Sequence, residues 1–284
     1  MRVQGSVTSH PYVVSVRLGV ITGSGTYSLP GFGEAAPATV ETRFGSVDLT
    51  EGRLGDADVV HVARHEPEHR RLSNHVRHRA NILGLRDAGV EAILSVTVCG
   101  AVDASLAPGT LVTFDDLYFP SNRLPDGTLC TLHDEPGAAG RGHWVYDSPF
   151  SEPLRAALSG AAARSGGPTR SEGCYGHVDG PRFNTRSEIR ALASAGVTAV
   201  SQTAGPETVL AGEAELPFAL LGFVTDYANG VAERPTPTEE LLRHLQASTA
   251  VFAAVLTDAA GLLAADPALP PVGSHLRFGA APGG

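Results

Sequence analysis

The stretch GFVTDYANGV, residues 222–231, leads from an apolar segment into a single carboxylate, Asp226, and then into a loop that contains Asn229. A carboxyl group that is shielded from water has a raised pKa and can exchange a proton with a bound substrate near neutral pH. A turn or helix-cap carboxylate is the structural alternative. The position of Asp226 at the end of an apolar segment makes it a candidate acid.

Donors suited to an anion follow other apolar segments. Arg64 and His65 end the segment DADVVHVARH, and Thr97 and Thr203 end two further segments. A guanidinium offers a bidentate fork to phosphate, and an adjacent imidazole can donate another hydrogen bond. Each group alone is equally consistent with a satisfied core or turn residue. Together at one sheet edge they would form an anion site, and only the fold can bring them together.

Two local motifs have competing interpretations. The G-S-G turn at residues 23–25 can cradle a phosphate with backbone N–H groups or be a simple tight turn, because Ser28 replaces the third glycine of a dinucleotide fingerprint. The segment HEPEH matches the zinc-protease pattern H-E-x-x-H. That pattern requires His65 and His69 on one face of an uninterrupted helix, and Pro67 disfavours such a helix. We therefore predict no metal site.

The composition excludes several classes of function. The chain has 284 residues and a formal net charge of −9, with no basic stripe, so nucleic-acid binding is not expected. It contains no lysine, which excludes Schiff-base and P-loop lysine chemistry. Cys99, Cys130 and Cys174 lie too far apart for a paired metal-binding motif and suit reduced thiols. We expect a cytoplasmic protein without a membrane span or a signal peptide.

Strand-like and helix-like segments alternate along the chain. The strand-like runs are YVVSVRLGVITGSG, DADVVHVAR, VEAILSVTVCGAV, GTLVTFDDLYF, VTAVSQTAGPE and FALLGFVTDYANG. The helix-like runs are NHVRHRANILGLRDAG, SEPLRAALSGAAARSGG, TRSEIRALASAG and TPTEELLRHLQASTAVFAAVLTDAAGLLAA. This alternation predicts an α/β sheet with its ligand site at the carboxyl ends of the strands.

The domain boundaries follow from turn-rich segments. We predict one domain over residues 1–266 and a flexible Pro/Gly-rich tail over residues 267–284. The loop over residues 119–144 is long and rich in turn residues, and it is interpreted as a lid or an intersubunit arm.

Taken in order, several motifs resemble those of the trimeric purine nucleoside phosphorylases, and within them the 5'-methylthioadenosine phosphorylase branch. The most specific motifs are RH…H…RANI, GPRF and T-x-x-PE followed by the strand end T-D-Y, and the resemblance covers residues 16–260. It implies a single α/β domain around a mixed, twisted, barrel-like sheet flanked by helices. It also implies a homotrimer or a dimer of trimers with active sites at subunit borders, inorganic phosphate as co-substrate, and no metal or organic cofactor.

The resemblance assigns roles residue by residue. Phe183 matches the aromatic that lies against the purine, His143 a histidine from a neighbouring subunit that covers the 5' substituent, and Asp226 the acid at purine N7. The phosphate site matches Ser24, Arg64, His65, Thr97, the backbone at Val98, and Thr203.

Several substrate-binding positions depart from the family pattern. Ala228 replaces the second acid, which accepts from the 6-amino group of adenine, and Asn184 stands where 6-oxopurine enzymes of the animal type carry a base-reading glutamate. Asn229 has an amide that can reach the base, since it both donates and accepts. Gln202 replaces the methionine under the ribose.

We predict phosphate-dependent cleavage of a purine nucleoside, with 5'-methylthioadenosine or another 5'-modified 5'-deoxyadenosine as the substrate. The alternatives are a 6-oxopurine nucleoside phosphorylase and a catalytically silent nucleoside-binding homologue.

Overall fold

The computed structural model describes residues 16–30, 32, 35–264 and 269–278. Its strands are β1 (Arg17–Thr22), β2 (Ala38–Thr42), β3 (Gly45–Leu54), β4 (Ala57–Ala63), β5 (Ala92–Ala101), β6 (Leu111–Thr113), β7 (Asp116–Tyr118), β8 (Gly142–Tyr146), β9 (Thr169–Arg170), β10 (Cys174–His177), β11 (Val197–Ser201), β12 (Phe218–Tyr227) and β13 (Gly273–Arg277). Its α-helices are α1 (His78–Asp87), α2 (Glu152–Arg164), α3 (Arg186–Ser194), α4 (Ala204–Glu213) and α5 (Thr238–Ala264). Short 3-10 helices cover Pro67–His69 and Ser73–His75.

Strand β5 is the centre of a mixed sheet that contains every described strand except β8 and β13. Along one edge β5 pairs in parallel with β12 from Ile93 to Ala101. Along the other edge it pairs first with β1, over Ala92–Ser95, and then with β11, at Gly100 and Ala101. The sheet therefore splits at the second half of β5, and the carboxyl ends of β1, β5 and β12 open into the gap.

Helices cover both faces of β5 and β12. Apolar side chains of α1 and α4 pack with Ile93 and Leu220 on one face. Those of α2 and α5 pack with Leu94 and Leu221 on the other. A strand that is buried on both faces needs a continuous apolar run rather than alternation, which explains the composition of AILSV and FALLGFV.

Helix α5 is long and apolar enough, by length and composition alone, to cross a membrane. The core helix of a soluble protein has the same composition, so this property is weak evidence for a membrane span. Phe252, Leu256 and Leu263 of α5 are buried within the same core cluster as α2 and the sheet.

Two predicted segments differ from the structure. The run VTAVSQTAGPE was predicted as a strand, but the strand ends at Ser201 and helix α4 begins at Ala204. Proline is tolerated in the first turn of a helix, so Pro206 does not prevent α4 from forming. The hairpin of β2 and β3 was not predicted.

The two-stranded sheet of β8 and β13 joins two segments that composition had marked as irregular. Strand β13 lies within the Pro/Gly-rich tail, and it pairs antiparallel with β8, at the end of the long loop 119–144. Leu124, Cys130 and Leu132 of that loop are buried against the same chain. Residues 267, 268 and 279–284 of the predicted tail lie outside the described residues.

Candidate active site

A cavity of about 300 Å³ lies where the sheet splits. The structure brings into its lining every predicted site residue except His143, namely Ser24, Arg64, His65, Thr97, Val98, Phe183, Asn184, Gln202, Thr203, Asp226, Ala228 and Asn229. Arg64, His65 and Asp226 lie at or just after strand ends that are far apart in the sequence, as expected for the carboxyl edge of an α/β sheet. Thr97 was predicted at a strand end but lies with Val98 inside β5, which continues to Ala101.

The Arg64 guanidinium is buried in a network of hydrogen bonds with its own chain. Its Nε donates to Glu207 Oε1 at 2.6 Å, and its Nη2 donates to Glu207 Oε2 at 3.1 Å and to Ser95 Oγ at 2.7 Å. Its Nη1 donates to the Val96 carbonyl at 2.9 Å. The sequence predicted that this fork faces a phosphate, whereas the structure shows that Glu207 occupies it. Of the five guanidinium N–H groups, one on Nη1 has no protein partner in the described chain.

The free N–H of Arg64 lies beside the glycine turn that follows β1. A Cβ at Gly23 would lie 2.4 Å from Arg64 Nη1, so only glycine fits there. Gly25 has a φ of +82°, which glycine adopts without strain. The Thr22 hydroxyl closes the turn by donating to the Thr26 carbonyl at 2.5 Å. The turn therefore brings Ser24 and its backbone next to the Arg64 N–H group that has no partner in the described chain.

His65 is held as a neutral ring. Its Nδ1 lies 2.7 Å from the Arg71 carbonyl oxygen, which can only accept, so Nδ1 carries the hydrogen. Burial, and then the charge of Arg64, lowers the pKa of His65 to about 3. The Nε2 atom consequently carries a lone pair and no hydrogen. The sequence had predicted an imidazole that donates to an anion, and this tautomer presents an acceptor.

The backbone after His65 is strained. Glu66, Glu68 and His69 have φ values of 58°, 60° and 57°, in the left-handed region that costs about 1–3 kcal/mol per non-glycine residue. The Glu66 carboxylate accepts hydrogen bonds from Arg71 and from Arg77, which offset this cost. The H-E-x-x-H match therefore does not form the uninterrupted α-helix that a zinc-protease motif requires. Among the described residues, no group of three or more His, Cys, Asp or Glu side chains is arranged to hold a metal ion.

Two threonines add hydroxyl groups to the same end of the cavity. Thr97 Oγ1 lies 3.2 Å from Ser201 Oγ. Thr203 precedes α4, is 4% exposed, and makes no side-chain capping hydrogen bond. The backbone N–H groups of Thr203 and Ala204 donate to the buried Tyr175 hydroxyl. The Thr203 hydroxyl is thus available to a ligand at the positive end of the helix dipole.

Asp226 lines the same cavity, opposite Gly100 of β5 and four strand residues beyond Val96, which binds Arg64. The register of β12 against β5 shifts between Val224 and Asp226, and such a bulge re-aims the side chains that follow it. The Asp226 Oδ1 accepts from the Thr225 hydroxyl at 2.7 Å. Burial raises the pKa of Asp226 above its usual value, and the Thr225 hydrogen bond opposes this in part. The carboxyl group therefore retains its proton to a higher pH than an exposed aspartate.

Apolar groups and two amides surround the Asp226 end. Val178, Ile189, Val200 and Ala228 line the cavity together with Phe183, which is 65% exposed. A flat apolar ring can orient a base without placing charge against it.

Asn229 is fixed in one orientation. Its Nδ2 donates to the Asn184 backbone carbonyl at 2.7 Å, and that carbonyl can only accept. The Asn229 amide oxygen makes no hydrogen bond within the described chain. It is an acceptor in the residue that directly follows Ala228, the position of the missing second acid.

Gln202 is also fixed by its neighbours. Its Oε1 accepts from the Ser73 hydroxyl at 2.9 Å, and its Nε2 donates to the Arg182 carbonyl at 3.0 Å. A Cβ at Gly180 would lie 2.1 Å from both Gln202 Oε1 and Ser73 Oγ, so the absence of a side chain there makes room for this pair.

His143 does not line the cavity. It is on β8, opposite Leu276 of β13, and its ring makes an edge contact with Phe278 at a centroid distance of 5.6 Å. Its predicted role concerns the cavity of a neighbouring subunit, so its distance from the cavity of its own chain is compatible with that role.

Sequence reasoning did not identify Glu207, Ser95 or Arg71 as site residues. Glu207 belongs to the T-x-x-PE motif and is 0% exposed, and a buried carboxylate requires a partner. The motif was therefore a signal of a buried ion pair, although the partner is 143 residues away in the sequence.

Comparison with known proteins places this geometry in a family. The model of the Phosphorylase superfamily matches residues 17–260. The chain belongs to this superfamily. S-methyl-5'-thioadenosine phosphorylase of Mycolicibacterium smegmatis is 36% identical over 216 residues, covering 75% of this chain and 78% of the relative. The 6-oxopurine nucleoside phosphorylase of Pyrococcus furiosus is 32% identical over 234 residues, covering 81% of this chain and 86% of the relative.

Solved structures of the superfamily have the same fold. Methylthioadenosine phosphorylase from Schistosoma mansoni in complex with adenine superposes with a TM-score of 0.79 at 28% identity, covering 88% of this chain and 92% of that chain. The predictions of the phosphorylase family, of a single-domain α/β fold with a large mixed sheet, and of an enzyme of the purine nucleoside phosphorylase type are confirmed.

Proposed function

We propose that this phosphorylase transfers the sugar of a 5'-modified 5'-deoxyadenosine, such as 5'-methylthioadenosine, to inorganic phosphate and releases adenine. The observation that carries the proposal is the shared cavity, whose lining contains both the anion donors around Arg64 and the Asp226 carboxyl. The Arg64 guanidinium donates a hydrogen bond to the Val96 carbonyl of β5. Asp226 of β12 is paired with Gly100, which also belongs to β5. Four strand residues span about 13 Å, which is room for a phosphate, a sugar and a purine edge.

Phosphate binds among Ser24, the Nη1 of Arg64, Thr97, the backbone at Val98, and Thr203 in this proposal. One of its oxygens attacks the anomeric carbon while the glycosidic bond breaks, and the sugar passes through a cationic state. The Glu207 carboxylate offsets the charge of Arg64 at 2.6 Å. The bound phosphate therefore keeps most of its negative charge, which stabilises the sugar cation.

Asp226 acts on the leaving base. The departing purine accumulates negative charge, which a proton at N7 relieves. Burial raises the pKa of Asp226. At a given pH a larger fraction of Asp226 is therefore protonated than of an exposed aspartate, and this protonated form can supply the proton. The proposal requires no metal or organic cofactor, with phosphate as co-substrate.

The wall near the glycine turn supports an apolar 5' group. Leu241 and Leu245 line the cavity from α5, four residues apart on one helix face. A Cβ at Gly25 would lie 3.9 Å from Leu245 Cδ1, so this apolar wall adjoins the phosphate turn. A methylthio group can bury there, whereas a 5' hydroxyl would lose hydrogen bonds to water.

The second candidate is a 6-oxopurine nucleoside as substrate. Ala228 favours this candidate, because the acceptor for a 6-amino group is absent from that position. A relative from Pyrococcus furiosus is also named a 6-oxopurine nucleoside phosphorylase. The free amide oxygen of Asn229 favours the 6-amino purine instead.

A nucleoside panel tests these assignments. We expect free adenine from 5'-methylthioadenosine only when phosphate is present, measured by chromatography of the products. Hypoxanthine or guanine from inosine or guanosine, without adenine, supports the second candidate. A ligand-induced shift in melting temperature with no product from any nucleoside would identify a silent binding protein and overturn both.

The variant Ala228→Asp provides a matched comparison in the same panel. It adds an acceptor beside the base, so the ratio of kcat/KM for 6-amino over 6-oxo substrates should rise by about tenfold or more.

We further propose a homotrimer, or a dimer of trimers, in which His143 covers the 5' substituent in a neighbouring subunit. Val145, Leu276 and Phe278 on the two-stranded sheet are at least 50% exposed, and such apolar groups favour an interface. Light scattering should give about three or six times the chain mass of 29.4 kDa. A monomer in solution, active at low concentration, would contradict this assembly.

A cytoplasmic location is part of the proposal. Cys99, Cys130 and Cys174 are free thiols, which suits a reducing compartment. Fractionation of the source cells should recover the protein with soluble cytoplasmic enzymes, and recovery with membranes would contradict this.

A further inference from the structure

The hydrogen-bonding direction of His65 is determined by its surroundings. The Nδ1–H donates to the Arg71 carbonyl at 2.7 Å, and the Arg71 N–H donates back to the His65 carbonyl at 2.8 Å. The Arg71 guanidinium is held in turn by Glu66, which also binds Arg77. Flipping the ring would leave the Arg71 carbonyl without its imidazole donor. The tautomer with hydrogen on Nδ1 is therefore the one that this loop selects.

The other ring nitrogen opens into the cavity. His65 lines the cavity, yet its Nε2 has no hydrogen-bond partner in the described chain and is not among the fully buried unsatisfied atoms. His69 stacks on the ring face at a centroid distance of 4.3 Å and leaves the ring edge free. With the pKa of His65 lowered to about 3, Nε2 stays an acceptor throughout the neutral range.

An acceptor in an anion site selects among anions. Hydrogen phosphate and hydrogen arsenate carry an O–H group near neutral pH and can donate to Nε2. Sulfate has the same shape and charge but no hydrogen, so its oxygen would face a lone pair and leave a buried acceptor unpaired. A site that uses a ligand hydroxyl rejects the analogue that lacks it.

We propose that His65 is a specificity-determining residue that accepts a hydrogen bond from the P–O–H group of phosphate, so that the site prefers protonated oxyanions over sulfate. The inference rests on the proposed function, because it concerns the same phosphate site. It also has a consequence for the reaction. With the proton held on the oxygen at His65, the oxygens directed at the sugar are unprotonated and nucleophilic.

Anion competition tests the proposal. The probes are phosphate, arsenate, sulfate and monofluorophosphate, the last being a tetrahedral dianion without an O–H group. Binding is measured for each by thermal stabilisation of the free enzyme at constant ionic strength. We expect arsenate to bind about as tightly as phosphate, and sulfate and monofluorophosphate to bind about tenfold to a hundredfold more weakly.

Two variants separate the role of His65 from general weakening of the site. In His65→Gln the side-chain amide can turn its NH₂ toward the anion, so the preference for phosphate over sulfate should fall below about threefold. In Thr97→Val a hydroxyl is lost, so all four anions should weaken together and keep their ratios.

The outcomes are distinguishable. Equal binding of sulfate and phosphate by the unmodified enzyme overturns the discrimination while leaving phosphorolysis intact, and this result does not depend on how well a variant folds. An unchanged preference in folded His65→Gln overturns the assignment to His65. Absence of any stabilisation by phosphate, together with absence of phosphate-dependent product, overturns the proposed function as well.

Discussion

Replacing Asp226 with alanine lowers kcat for phosphorolysis by about 10²–10⁴-fold, which is the usual contribution of a positioned general acid. The KM for phosphate changes little, because Asp226 is paired with Gly100 of β5, four residues beyond Val96, which binds the Arg64 guanidinium. Steady-state kinetics with saturating phosphate measures the effect. Asp258→Ala is the matched control, since Asp258 is an exposed aspartate of α5 paired with Arg164 outside the cavity.

The pH dependence of kcat provides a second measurement of the same role. Burial raises the pKa of Asp226, so the reactive protonated form persists above the ordinary range of an aspartate and is lost as the pH rises through that raised value. The rate of the unmodified enzyme should therefore fall on the alkaline side, and Asp226→Ala should lack this fall. A kcat unaffected by the substitution would remove Asp226 from the mechanism.

Replacing Glu207 with leucine lowers the free energy of unfolding by about 3–5 kcal/mol, because the Arg64 guanidinium is left buried without a counter-charge. Both side chains are at most 1% exposed, and the pair has two hydrogen bonds between them. Urea unfolding monitored by circular dichroism measures the loss. Phosphate should stabilise this variant more than the unmodified protein, since the anion then supplies the missing charge.

A double-mutant cycle distinguishes the ion pair from simple loss of packing. Removing both partners in Arg64→Leu/Glu207→Leu eliminates the uncompensated charge, so the double variant should be more stable than the sum of the two single losses indicates. Additive losses, or a loss below about 1 kcal/mol in Glu207→Leu, would show that the pair is not the source of stability.

The sequence identified the strand ends because each apolar run stops at a small or polar residue. Arg64 and Asp226 lie at strand ends, as predicted, whereas Thr97 lies in the middle of β5, which continues for four residues beyond it; the cavity contains all three. Helix α4 was missed because VTAVSQTAGPE was interpreted as a single strand, although the strand ends at Ser201 and the helix begins at Ala204. In a single sequence, a short apolar run does not distinguish a strand from a buried helix.

The direction of hydrogen bonds could not be read from residue types. Arg64 has the right chemistry for a phosphate fork, but whether the fork is free depends on Glu207, which approaches only in the folded chain. His65 has two nitrogens, and the one that bears hydrogen is decided by a backbone carbonyl six residues away. Such choices depend on tertiary geometry, so they appear only once the fold is known.

The pairing of β13 with β8 changes how the end of the chain should be regarded. By composition alone, a Pro/Gly-rich C-terminal segment would be considered dispensable and deleted from the protein. Here its strand supplies the hydrogen-bonding edge for the strand that carries His143. A shortened protein ending before Gly273 would leave that edge of β8 unpaired. In the trimer that we propose, the loss would then affect the cavity of the neighbouring subunit rather than that of the shortened chain itself.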